Sequence, residues 1–138
     1  MNDKWMIARV ATQSLGSGTF RYLQSKPELW DSFPLSEEIS ITWQYGVGLP
    51  DKATSAHMDV LEEALADLCF GKDSYLTLVM TVGGLREWCF YANDYDAFMK
   101  RLNSRLSSHE RFPVSIQHSH DPTWSYWHSF VDRVTEKK

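Results

Sequence analysis

Leu76 to Ala92 reads LTLVMTVGGLREWCFYA, two runs of β-branched, aliphatic and aromatic residues on either side of Gly83-Gly84. A glycine pair supplies the positive φ that a two-residue hairpin turn demands, and flanking runs of this composition are strand formers. The stretch is therefore expected to be the central hairpin of an antiparallel or mixed sheet that the rest of the chain covers. Alternation places Leu76, Leu78, Met80 and Val82 on one face of the first strand. On the second strand Arg86, Trp88 and Phe90 share a face, opposite Glu87, Cys89 and Tyr91.

Working outward, Ile39, Ile41, Trp43 and Tyr45 alternate with Ser40, Thr42 and Gln44, the period of a strand with one buried face. Gly46, Gly48 and Pro50 end it. Thr54 to Cys69 has helical spacing, with Met58, Leu61, Leu65 and Leu68 on one stripe and Gly71 as its stop. After the hairpin a second helix is expected, with Asn93 as N-cap, Asp96 three residues on, and a stripe of Tyr95, Phe98, Leu102 and Leu106. Pro113 to His120 reads as a last strand with Val114, Ile116, His118 and His120 on one face. Asp121-Pro122 has the form of an N-cap followed by proline at the first helical position. The terminal helix would run to about Thr135 and carry Trp124, Trp127, Val131 and Val134, flanked by Tyr126 and Phe130. At the other end, Trp5 to Ala11 and Thr19 to Leu23 make a hairpin around Ser14 to Gly18. Ser25 to Glu37 crosses the domain, anchored by Trp30 and Phe33.

Without the first hairpin the order is strand, helix, strand, strand, helix, strand. That pattern predicts an α+β chain with a ferredoxin-like split βαβ core, an antiparallel sheet with two helices on one face. One domain is expected over residues 1–138: an N-terminal hairpin at 1–25, the core at 38–120 and a C-terminal helix at 121–135. The face away from the two helices would be lined by Thr42, Gln44, Thr77, Val79, Thr81, Glu87, Cys89, Tyr91, Ser115 and Gln117. The terminal aromatic helix is the candidate to cover it.

Composition narrows the function classes. At 43% hydrophobic and 14% aromatic the 138 residues are not a disordered tail. The apolar runs are too short to cross a bilayer, and the start lacks the plan of a secretory signal. Cys69 and Cys89 form no CxxC pair, so reduced thiols in a cytoplasmic protein are expected. The formal charge is −4, and no basic cluster is longer than Lys137-Lys138. Nucleic acid is therefore not the expected partner, and neither is a membrane. An acidic surface suits a basic partner. The ferredoxin-like plan is shared with RNA-recognition domains, but their base-stacking aromatics have here only Tyr91, beside the carboxylate of Glu87.

The hairpin LVMTVGGLREWCFYA, the helix after it and the closing DPTWSYW resemble a bacterial family, the domain of unknown function numbered 695. ITWQYGVGLP and HMDVLEEALADL stand where that family has its first strand and helix. The resemblance runs from about Ile39 to Trp127, and more loosely into the first hairpin. It implies no activity and no functional residue. A more distant likeness, in build and acidity, is to the inhibitor-B type regulators of ribonuclease E.

Among chemistry-bearing groups, His118-Ser119-His120-Asp121 with His128 is the sharpest. Histidines at i and i+2 of a strand point the same way and suit zinc, nickel or copper. His128 would lie two turns along the terminal helix, so the set is not a closed one, and the chain is expected to fold without metal. Arg86 and Glu87, adjacent on a strand, point to opposite faces and cannot converge on one substrate atom. Cys89 lacks a basic neighbour in sequence and reads as a small half-buried residue. Gly16-Ser17-Gly18 has neither the strand-turn-helix setting of a nucleophile elbow nor the lysine of a phosphate-binding loop. No cofactor is expected and no catalytic residue is assigned. The leading expectation is a non-catalytic binding or regulatory module acting through protein contacts, with Trp124 and Trp127 as candidate anchors. The alternative is a small-molecule-binding protein or enzyme using the polar sheet face around Gln44, Glu87 and Tyr91.

Overall fold

The computed structural model describes residues 5–12, 16–23, 35–69 and 73–135. In chain order its elements are β1 (Trp5–Thr12), β2 (Gly16–Leu23), β3 (Glu37–Gln44), α1 (Lys52–Ala64), α2 (Ala66–Cys69), β4 (Ser74–Val82), β5 (Leu85–Ala92), α3 (Tyr95–Leu106), β6 (Val114–His120) and α4 (Ser125–Thr135). The chain is a mixed α+β structure. Its strands form one antiparallel sheet in the order β1-β2-β4-β5-β3-β6. The first hairpin extends the sheet at the β4 edge, and Gly16 to Gly18 belong to β2 instead of to a loop. The expected crossing segment with Trp30 and Phe33, and the stop at Gly71, lie outside the described residues.

The glycine turn forms as its composition dictates. Gly83 and Gly84 have φ of +62° and +82°, and Val82 pairs with Leu85 across them. Gly84 carries a second constraint. Its carbonyl accepts from Tyr45 N at 2.8 Å and Gly46 N at 3.2 Å, so a Cβ at Gly84 would stand 1.6 Å from the Gly46 oxygen. The hairpin tip is thereby fixed to the end of β3.

Two cores sit on the two faces of the sheet. On one, Ile39, Ile41, Trp43, Leu76, Val79, Trp88 and Phe90 pack against Met58, Leu61, Leu65 and Leu68 of α1 and α2, and Phe98 and Leu102 of α3. On the other, Phe20, Tyr22, Leu78, Met80, Cys89 and Tyr91 pack against Trp124, Trp127, Phe130 and Val134. The terminal aromatic residues do cover the second face.

Four local expectations are corrected. Leu76 does not share a face with Leu78: Phe90 pairs with Leu76 and Cys89 with Leu78, so Thr77 is the extra residue of a bulge. Val79 therefore belongs to the helix-covered face and not to the opposite one. The first helix is not continuous from Thr54 to Cys69. It starts at Lys52, where Asp51 Oδ1 accepts from Thr54 N at 2.8 Å, and breaks at Leu65, which caps α1 before α2 begins. Asn93 does not cap α3. Asp94 holds the N-cap position without a side-chain bond, while Asn93 Nδ2 donates to Asp73 Oδ1 at 3.4 Å. The terminal helix starts at Ser125 and not at Asp121, because Trp124 adopts a left-handed φ of +58°, which breaks the helical path.

Candidate functional site

Turning Trp124 left-handed aims its ring inward. It stacks on Tyr91 with centroids 4.4 Å apart and donates its indole N–H to Leu35 O at 2.7 Å. Trp127 meets it edge-on and donates to Leu23 O at 3.2 Å. Both tryptophans are buried, so neither stands out as an exposed anchor. Asp121 still caps α4 from four residues ahead. Its carboxylate accepts from Ser125 N at 2.8 Å and Tyr126 N at 3.0 Å, and also from the Tyr91 hydroxyl at 2.6 Å. Burial alone would raise the Asp121 carboxyl, but these donors hold it below its usual value. Burial, with the neighbouring acids, raises the Tyr91 phenol.

Beside this contact lies a carboxylate cluster that the sequence only half revealed. Glu87 Oε2 accepts from the Tyr126 hydroxyl at 2.6 Å and from Ser40 Oγ at 3.4 Å. The single Ser40 proton is shared with the nearer Glu38 Oε2, which accepts also from Cys89 Sγ at 3.2 Å, and Glu38 Oε1 accepts from Ser119 at 3.3 Å. Burial, with a contribution from Glu38, raises the Glu87 carboxyl. Cys89 is fully buried, not half-buried, and its thiol is pushed well up by burial and by Glu38. Burial and Glu62 likewise raise Cys69, to about 11. Thiols so protonated are poor nucleophiles at neutral pH. Of the sequence candidates, Glu87, Tyr91, Trp124 and Trp127 are thus brought together, under or within the α4 layer. Gln44 is exposed at the end of β3 and makes no bond with them.

The histidines of β6 are paired with a carboxylate. His118 Nε2 and His120 Nδ1 lie 2.7 and 2.6 Å from Glu37 Oε1 and Oε2, and His118 stacks on Tyr95 at 4.0 Å. Burial works to raise the Glu37 carboxyl, but the two imidazoles outweigh it and keep it below its usual value. His128 sits on α4 against Trp127, over the opposite face. Among the described residues no group of three or more His, Cys, Asp or Glu is placed to hold a metal ion.

The arrangement that sequence reasoning missed is on the helix-covered face, across β2, β4 and β5. Ladder pairing sets Thr19 against Thr81, Thr81 against Arg86, and Arg21 against Val79. Thr19, Arg21, Leu49, Val79, Thr81 and Arg86 line a groove of about 250 Å³. Arg21 also closes an adjoining pocket of about 180 Å³ with Glu62, Cys69 and Trp88. Arg21 is neutralised there: Nη2 lies 2.5 Å from Glu62 Oε2, which also accepts the Trp88 indole N–H at 2.8 Å. Arg86 is not neutralised in this way. It is half-buried, and its Nε donates at 2.7 Å to the neutral Thr81 hydroxyl. Among the described residues no carboxylate lies within ion-pair distance of it. Burial lowers its pKa, and Arg21 adds to that, while the carboxylates of Glu62 and Asp59 act on it through space in the opposite sense without touching it. Beside the groove, Val47 and Leu49 are 88% and 71% exposed on the loop after β3.

The family of unknown function DUF695 matches residues 25–131. The chain belongs to the DUF695 family. No curated protein matches it. The DUF695 match takes in β3 through most of α4, hence the carboxylate cluster, both tryptophans and Arg86. It begins after β2, so Arg21 and Thr19 are contributed from outside it. A family of unknown function assigns no role to any of these residues. Among the described residues no helix is long and apolar enough to cross a membrane.

Proposed function

We propose that this DUF695 chain is a non-catalytic, cytoplasmic binding or regulatory module that acts through protein contacts. Its contact surface would be the groove formed over β2, β4 and β5 beside the loop after β3, together with the exposed Val47 and Leu49. The proposal includes a single domain built on a ferredoxin-like core. The strand order β4-β5-β3-β6, with α1 and α3 in the two crossovers, supports that core, and β1 and β2 are then an addition at its edge. The likeness to inhibitor-B type regulators of ribonuclease E stands with it as a matter of build and acidity.

The observation that carries the proposal is Arg86. Among the described residues this half-buried guanidinium hydrogen-bonds to a neutral hydroxyl and to no carboxylate, an arrangement costly to keep, and such groups usually meet an anion. Next to it two aliphatic side chains stand in water on one short loop, the combination expected at a docking surface. The competing idea of a small-molecule site around Gln44, Glu87 and Tyr91 loses support, since α4 lies over Glu87 and Tyr91 while Gln44 stands apart.

Affinity capture from the native cell tests this, with the full chain as bait beside Leu49→Asp and Gln117→Asp. Both substitutions are at exposed positions, Gln117 on the far side of β6. Partners should be lost with Leu49→Asp and kept with Gln117→Asp. Equal capture by all three baits would remove the groove from consideration.

A further inference from the structure

We infer that the groove receives a single acidic side chain of a protein partner, its carboxylate taken by Arg86 and Arg21 while an apolar neighbour of that residue lies on Leu49 and Val79. This rests on the docking surface proposed above and gives its partner a chemistry.

Three observations lead to it. The first is charge. Two guanidiniums face the groove, and among the described residues Glu62 is the carboxylate in contact with them, on Arg21, while Glu62 and Asp59 reach Arg86 only through space. Arg86 thus has no carboxylate in contact, and the planar guanidinium fork matches one in two parallel bonds. The Thr81 hydroxyl accepts from Arg86 Nε and so retains its own proton to donate. The second is size. At about 250 Å³ the groove falls below the range of roughly 300–1,000 Å³ typical of small-molecule and cofactor sites. A side chain or a bare anion fits that space; a nucleotide does not. The third is its border. Leu49 both lines the groove and is exposed beside Val47, which a bare anion would not use and a peptide would.

The chain's net charge of −4 opposes an acidic partner at long range. Screening over about 8 Å at physiological salt confines the attraction to the groove itself. The partner is therefore expected to carry one isolated acid among apolar residues, not an acidic tract.

The full chain, labelled with nitrogen-15, can be titrated with the capped peptide Leu-Glu-Leu, with Leu-Gln-Leu and with inorganic phosphate, following the Nε–Hε signals of Arg86 and Arg21. The glutamate peptide should shift both signals saturably, and the glutamine peptide should bind at least about tenfold more weakly. Arg86→Gln should weaken the glutamate peptide about tenfold, with Arg86→Lys between the two. The wild-type comparison of glutamate with glutamine stands even where a variant fails to fold. Equal responses to the two peptides, or an unmoved Arg86 signal, would overturn the acidic-residue inference. Phosphate saturating the site below the peptide's concentration would overturn it in favour of a free-anion site. The Leu49→Asp capture result decides the docking surface separately, whatever the titration gives.

Discussion

The two faces of this sheet share β4, β5 and β3 and are nevertheless held by different physics. Under α1, α2 and α3 the contacts are mainly between aliphatic and aromatic side chains, Ile39 and Ile41 against Met58 and Leu61 and Phe90 against Phe98 at 5.2 Å, with the Trp88 indole bonded to Glu62 at their border. Under α4 more of the aromatic residues hydrogen-bond: the two tryptophans to backbone carbonyls, and the tyrosines to titratable partners, Tyr91 to Asp121 and Tyr126 to Glu87. The packed interior of the first face should respond chiefly to volume, with pH acting at its Glu37, His118 and His120 edge. The second should respond to both. It is also covered by one helix at the end of the chain, so it can be uncovered without cutting the other.

The largest expected effect is removal of residues 121–138. Trp124, Trp127 and Phe130 are buried, and each aromatic covers roughly 150–250 Å². At about 25 cal/mol per Å² their loss is on the order of 10 kcal/mol, comparable to a typical domain's whole stability of about 5–15 kcal/mol. The truncated chain should aggregate or bind a hydrophobic dye, read by size-exclusion chromatography and fluorescence. A monodisperse, dye-negative truncation would mean that the first face suffices alone.

Next is Phe90→Ala, which empties a fully buried site on the first face. It should cost about 3–5 kcal/mol in chemical denaturation, with the same loss at pH 5 and pH 7. A loss below about 1 kcal/mol would contradict the packing of β5 on α3.

Smaller is Asp121→Ala on the second face, which removes the cap of α4 and leaves the Tyr91 hydroxyl without its acceptor. About 2 kcal/mol is expected at neutral pH. The carboxyl is held below its usual 3.8, so its contribution is present above that value and is lost as pH falls through the folded-state value. Wild type and variant should converge in strongly acid solution, and a constant gap would separate Asp121 from that titration.

The smallest effect, and opposite in sign, is Glu87→Gln. The Glu87 carboxyl is raised above its usual 4.5, so its protonated form favours the fold. That contribution is full below 4.5 and fades as pH rises through the folded-state value. A neutral amide should raise the melting temperature at pH 7 and leave it unchanged near pH 4. A lower melting temperature at pH 7 would show that the Tyr126 bond outweighs burial.

Much of this architecture was legible. Gly83-Gly84, the alternation of Ile39 to Tyr45, and the stripes of α1 and α3 are local patterns, and local patterns fix elements and their buried faces. The aromatic run after Asp121 correctly announced a covering layer, although its first turn did not: no periodicity signals that Trp124 will turn left-handed to stack on Tyr91. The Thr77 bulge was hidden because LTLVMTV is apolar at most positions, so either phase of alternation suits it. Glu38 escaped notice because a carboxylate at the start of a strand is ordinarily solvated, whereas here, inside β3, Ser40, Cys89 and Ser119 satisfy it. The groove was the least legible feature. Arg21 and Arg86 meet only because the first hairpin joins the β4 edge, a long-range pairing that no window of sequence contains.

The bulge has a consequence for how the gene can change length. Thr77 is a phase shift: Leu76 serves one core, Leu78 the other, and the residue between them has no ladder partner. Deleting that single codon would leave Leu76 and Leu78 adjacent and correctly opposed, at the loss of the bond from Thr77 Oγ1 to Cys89 O. Deleting Val79, two codons later, would instead swap the allegiance of half the strand. β4 should therefore tolerate a one-residue deletion at one position in its middle and reject it at the neighbours, and chains related to this one can differ in length there without differing in fold.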